Sequence, residues 1–134
     1  RTYVHLLRAA ANLFKAEELA RIAPKSRGDL SSSDPIAATE AIAYDFLAKG
    51  GKYSRPFITL AVYDALTGGK GTGGSGAEEV AKFSDSVRRA AMSIETFHKA
   101  SLVHDDIEDD DAFRYGEETI HKKYGTATAI NVGE

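Results

Sequence analysis

Residues 94–111 read Ile94-Glu95-Thr96-Phe97-His98-Lys99-Ala100-Ser101-Leu102-Val103-His104-Asp105-Asp106-Ile107-Glu108-Asp109-Asp110-Asp111. Working back from this stretch, Val80, Phe83, Val87, Ala91, Ile94, Phe97, Leu102 and Val103 recur near the helical period. That spacing predicts a long helix from about Ala77 to the acidic cluster, with these residues as its buried face. The acids then stand at the helix C-terminus, where the macrodipole already disfavours anions. A solvated acidic helix end is the plain explanation. The alternative is a divalent cation that offsets the repulsion. Asp105 and Asp109 are four apart, so they share a helix face, and Asp106 sits beside them. Oxygen donors without thiol or imidazole partners suit a hard ion, magnesium before calcium. Magnesium held by a few carboxylates keeps positions open for phosphate oxygens, so the cluster suits a diphosphate or triphosphate ligand.

Moving outward, the remaining segments also read as helix. Val4, Leu7, Ala11, Phe14, Leu19 and Ile22 give residues 2–22 one apolar face, and Pro24 ends it. Residues 24–34 are turn-rich. Asp34-Pro35 has the form of an N-cap followed by proline in the first turn, opening a helix to about Lys49 that Gly50-Gly51 stops. A further helix follows near Pro56, and a last one begins near Thr126. No stretch alternates as a strand does, so the predicted class is all-α. The glycine-rich segment 68–76 is a flexible loop. Within it, Gly71-Thr72-Gly73-Gly74-Ser75-Gly76 matches the letters of G-x-G-x-x-G. It lacks the preceding strand that a dinucleotide fingerprint requires.

Composition narrows the classes. The chain has 134 residues and a net charge of −3, with no cysteine. A strongly basic nucleic-acid binder, disulfides and thiol chemistry are therefore set aside. No apolar run approaches the roughly 20 residues of a membrane span, and no signal peptide is evident. The window 105–118 holds eight acids and one base, so the rest of the chain carries +4.

Asp105-Asp106-Ile107-Glu108-Asp109 resembles the DDxxD motif of the trans-isoprenyl diphosphate synthases, the polyprenyl synthetase family. Gly50-Gly51-Lys52-Tyr53-Ser54-Arg55-Pro56 resembles that family's GGKxxRP motif. Phe97–His104, Arg114-Tyr115-Gly116, His121–Gly125 and Gly133-Glu134 follow in the family's order. The resemblance implies an isoprenoid-synthase-type helical bundle around a central cavity, of which residues 1–134 form the N-terminal portion. It implies a magnesium-dependent prenyltransferase that joins an allylic diphosphate to isopentenyl diphosphate, head to tail, with loss of pyrophosphate. Asp105, Asp106 and Asp109 are then the catalytic metal ligands, and Arg114 binds the allylic diphosphate. Lys52, Arg55 and His98 bind isopentenyl diphosphate.

Tyr115 departs from the family, which has a second arginine there that serves isopentenyl diphosphate. Phe97, Ala100 and Ser101 precede the metal motif on its helix. The small residues suggest room for a product of twenty carbons or more, with Phe97 either the floor of that pocket or a core aromatic. A homodimer in the cytoplasm is expected, completed by a C-terminal remainder without which the chain alone is inactive. A class I terpene cyclase-like enzyme and a non-catalytic synthase subunit are the competing possibilities.

Overall fold

The computed structural model describes residues 2–22, 34–69 and 83–134. Its elements are helices α1 (Thr2–Asn12), α2 (Ala16–Ile22), α3 (Pro35–Ala48), α4 (Ser54–Leu66) and α5 (Asp85–Glu108). A hairpin of β1 (Phe113–Arg114) and β2 (Glu117–Glu118) follows, then α6 (Ile120–Tyr124) and α7 (Thr126–Gly133). Residues 24–33 of the loop expected over 24–34, residues 70–76 of the glycine-rich loop expected over 68–76, and Val80 lie outside the described residues. Helix dominates, as an all-α chain requires, and no described helix is long and apolar enough to cross a membrane.

The described residues of Arg1–Ala23 and Lys52–Glu95 form one compact unit, and those of Pro24–Gly51 and Thr96–Glu134 a second. In the first unit α1 packs on α4. Leu6, Ala9, Ala10, Leu13, Phe14 and Leu60 are among its buried residues. The single helix expected over 2–22 is instead two. The N–H of Phe14 donates to Ala11 and that of Lys15 to Asn12, three residues back, which tightens and ends α1. The break lets the neighbouring side chains of Leu13 and Phe14 both bury, and Phe14 stacks on Tyr53 at 5.3 Å between ring centroids. Arg21 joins Glu18 and Asp85, tying α2 to the first turn of α5.

In the second unit the predicted start of α3 holds. Asp34 accepts the Ile36 N–H at 2.8 Å through its side chain, and Pro35 occupies the first turn. Helix α7 lies on α3 and α6, around a core of Val103, Ile120 and Ala129. Gly133 lies against the His104 ring, so closely that a Cβ at this position would displace that side chain.

Two expectations about α5 are corrected. It begins at Asp85 rather than near Ala77, since Phe83 and Ser84 are not helical and the Ser84 Oγ accepts the Val87 N–H at 3.4 Å. Its buried face is also different. Ile94 is 45% exposed and Phe97 79% exposed, so Phe97 is no core aromatic among the described residues. The buried positions are Ala91, Met92, Glu95, Lys99, Val103 and Asp106. This stripe keeps the helical period but includes three charged residues, whose burial is compatible with folding only where partners meet them. The hairpin is a further correction, because strands of two residues leave no alternation to read.

Candidate active site

The acidic cluster sits where α5 stops, and the way it stops is specific. Asp110 takes a left-handed conformation (φ 52°). Its N–H donates to the Ile107 carbonyl at 3.3 Å, and the Asp111 N–H donates to Asp106 at 2.9 Å. This is the Schellman pattern, with an aspartate in the position glycine usually takes. The Asp110 carboxylate accepts from Lys122 at 2.6 Å and lies 3.4 Å from the His121 ring. The Lys122 hydrogen bond, then that of His121, holds its pKa below the ordinary carboxylate value. One of the six acids is thus anchored to α6.

Asp106 is the buried member of the cluster and faces Arg114. The Arg114 Nε donates to both carboxylate oxygens, at 3.1 and 3.2 Å, and Nη2 donates to Oδ1. This pair raises the Arg114 pKa further, chiefly through the Asp106 hydrogen bond. The guanidinium is therefore a fixed charge beside the cluster. The side chain expected to assist the metal and the one expected to bind the allylic diphosphate here hold each other.

Asp105 and Asp109 are exposed. The Asp109 N–H still donates to the Asp105 carbonyl at 2.9 Å, so the one-turn spacing survives past the last helical residue. Among the described residues no three Asp, Glu or His side chains converge as a ready-made metal cluster. What the chain offers is a pair of solvated carboxylates one turn apart. That donor set fits magnesium, which commonly takes one or two carboxylates and fills its octahedron with water and phosphate oxygens.

Arg114 is placed by the hairpin. Tyr115 (φ 54°) and Gly116 (φ 79°) form the two-residue turn, with Arg114 opposite Glu117. Positive φ at both central residues is the signature of a type I′ turn. The Tyr115 ring then lies on Gly50, where a Cβ would come within 2.4 Å of it. Gly50 (φ 62°) thus has two reasons to be glycine. Phe46 flanks the same ring at 6.0 Å. Lys49 bonds Asp45 at 2.6 Å and Glu117 at 2.8 Å, which raises its pKa, Asp45 contributing most. A small open cleft is lined in part by Phe46, Lys49, Arg114, Tyr115 and Lys123.

His98, Ala100 and Ser101 are half-buried on α5 in the second unit, and the Ser101 hydroxyl donates to the His98 carbonyl at 2.7 Å. Phe97 projects into solvent near them. Lys52 and Arg55 are exposed and belong to the first unit.

Lys99 went unnoticed in the sequence. It is fully buried, and its Nζ donates to the carbonyls of Leu47 (2.8 Å) and Lys49 (2.6 Å), with Gly50 at 3.3 Å and Phe46 at 3.4 Å. The available signal was its register with Glu95 and Asp106 on one helix stripe.

The profile of the polyprenyl synthetase family matches residues 37–134. The chain is 40% identical over 92 residues to a geranylgeranyl pyrophosphate synthase of Geoglobus acetivorans, covering 69% of this chain and 24% of that protein. It is 35% identical over 103 residues to geranylgeranyl pyrophosphate synthase 12, chloroplastic, of Arabidopsis thaliana, covering 75% and 24%. It is 29% identical over 119 residues to solanesyl-diphosphate synthase 2, chloroplastic, of Oryza sativa subsp. japonica, covering 89% and 27%. The chain spans about a quarter of the length of these curated relatives. No solved structure matches it. With the matched residues running from α3 through the acidic end of α5 to α7, this chain belongs to the polyprenyl synthetase family.

Proposed function

We propose that the protein carrying this chain is a magnesium-dependent prenyltransferase. It condenses an allylic diphosphate with isopentenyl diphosphate, releases pyrophosphate, and makes a prenyl diphosphate of twenty carbons or more. The observation that carries this is the end of α5, where two solvated carboxylates stand beside a buried Asp106 paired with the half-buried Arg114.

Asp105 and Asp109 hold magnesium, with Asp106 completing the acidic motif and orienting Arg114. The bound metal supplies Lewis-acid stabilisation of the charge that develops on the departing diphosphate. Arg114 gives Nε and Nη2 to Asp106, which leaves its Nη1 edge for allylic phosphate oxygens. Because that guanidinium is already held, little conformational freedom is lost on binding. Lys52, Arg55 and His98 take the diphosphate of isopentenyl diphosphate. His98 lies two turns before Asp105, about 10 Å along the helix, far enough for two diphosphates to sit side by side.

The open side of α5, with Phe97, Ala100 and Ser101, lines the room for the growing chain. The remainder of a protein of the relatives' length encloses that room, and the protein works as a cytoplasmic homodimer. Phe97→Ala should lengthen the product without loss of fold, and an unchanged product would remove Phe97 from the pocket.

The test is incubation of the complete polypeptide with magnesium, allylic diphosphates and labelled isopentenyl diphosphate. Labelled, elongated prenyl diphosphates are expected. Cyclic hydrocarbons without label would point to a terpene cyclase instead, and no turnover of either kind to a non-catalytic subunit.

A further inference from the structure

We infer that Lys99 is a positioning residue: its ammonium, roofed by Tyr115, locks the Gly50–Gly51 turn and so fixes the backbone from which Lys52 departs. This rests on the prenyltransferase proposal for its functional half, because Lys52 is the residue immediately after Gly51.

The last carbonyls of any α-helix lack intrahelical donors and carry the negative end of the dipole. At the end of α3 a lysine from α5 meets them. A lysine ammonium has three donors, and here four carbonyls, of Phe46, Leu47, Lys49 and Gly50, lie within 3.4 Å. Two aromatic rings enclose the charge, with Nζ 6.0 Å from the Phe46 centroid and 5.4 Å from that of Tyr115. Tyr115 also presses on Gly50, leaving no space for a Cβ. Two left-handed residues in succession, Gly50 (φ 62°) and Gly51 (φ 89°), are conformationally loose by nature. The Lys99–Tyr115 clamp removes that freedom on the side of the turn belonging to its own unit. The tyrosine that stands in place of a family arginine thus has a positive task. It covers a buried cation instead of presenting an exposed one.

The test uses the complete polypeptide with Lys99→Met and Tyr115→Ala, read by steady-state kinetics and by hydrogen exchange of the peptide spanning residues 46–51. Lys99→Met should raise KM for isopentenyl diphosphate about tenfold, with KM for the allylic substrate and kcat changed less than about twofold. Exchange at 46–51 should accelerate. Tyr115 is on a surface hairpin, so Tyr115→Ala keeps the fold and should shift the same KM by about threefold. If Lys99→Met fails to fold, the Tyr115→Ala shift decides the matter. A fall in kcat with both KM values unchanged, or equal loss for both substrates, would overturn the positioning role. Should the protein not condense these substrates at all, the prenyltransferase proposal fails, and unchanged exchange at 46–51 in Lys99→Met would separately overturn the clamp.

Discussion

Two helix ends in the second unit solve the same electrostatic problem in opposite ways. At the end of α3, the exposed carbonyls and the dipole are answered internally, by the buried ammonium of Lys99. At the end of α5, Asp105, Glu108, Asp109, Asp110 and Asp111 add negative charge to a terminus that is already negative. The fold supplies partial compensation there, with Arg114 on Asp106 and Lys122 on Asp110. Asp105 and Asp109 are left to solvent. A helix end neutralised from within is a structural device. One left with surplus charge is disposed to take a cation from outside. The contrast separates a part of this chain that holds shape from the part we propose binds.

The largest break in that contrast should come from Asp105→Ala. Because the side chain is exposed, stability should move by less than about 0.5 kcal/mol. The rate of elongation by the complete polypeptide should fall by about 10²–10³-fold, the usual cost of losing one preorganised electrostatic element. Steady-state turnover beside a thermal melt checks both halves. At the other helix end, Gly50→Ala forces a left-handed alanine and drives its Cβ into the Tyr115 ring. Chemical denaturation should show a loss of about 2–3 kcal/mol.

The smallest effect is expected at Asp110. Its folded pKa lies below its unfolded one, so its stabilisation is present above the unfolded pKa and fades as pH falls through the folded value. Asp110→Asn keeps a residue tolerant of the left-handed position. Stability of the variant should therefore depend less steeply on pH through the acid range, with a small deficit at neutral pH. Urea titrations at about pH 7 and about pH 3 measure it.

The sequence made some of this plain and concealed the rest for definite reasons. Asp34-Pro35, Gly50-Gly51 and the apolar period around Ile42 and Phe46 announced α3 to within a residue of its observed end. The start of α7 at Thr126 was equally legible. The α1–α2 break was hidden because Leu13 and Phe14 continue an apolar pattern that only tertiary packing interrupts. The buried stripe of α5 was missed for a different reason. Glu95, Lys99 and Asp106 read as solvated charges, while exposed Phe97 and Ile94 read as core. Burial of a charge depends on partners distant in sequence, and Lys99 finds its carbonyls about fifty positions earlier. The candidate site was clearer, since its acids are clustered within residues 105–111. The pairing of Asp106 with Arg114 needed the type I′ turn, which Tyr115-Gly116 does not advertise as Asn-Gly would.

We propose that Asp105 and Asp109 form the externally compensated end, binding diphosphate through magnesium. Isothermal titration of pyrophosphate into the complete polypeptide, with and without magnesium, addresses it most directly when Asp105→Ala/Asp109→Ala is run beside the unaltered protein. Magnesium-dependent binding that the double variant loses while keeping its far-ultraviolet circular dichroism is the predicted result. Equal, magnesium-dependent binding by both proteins would contradict it.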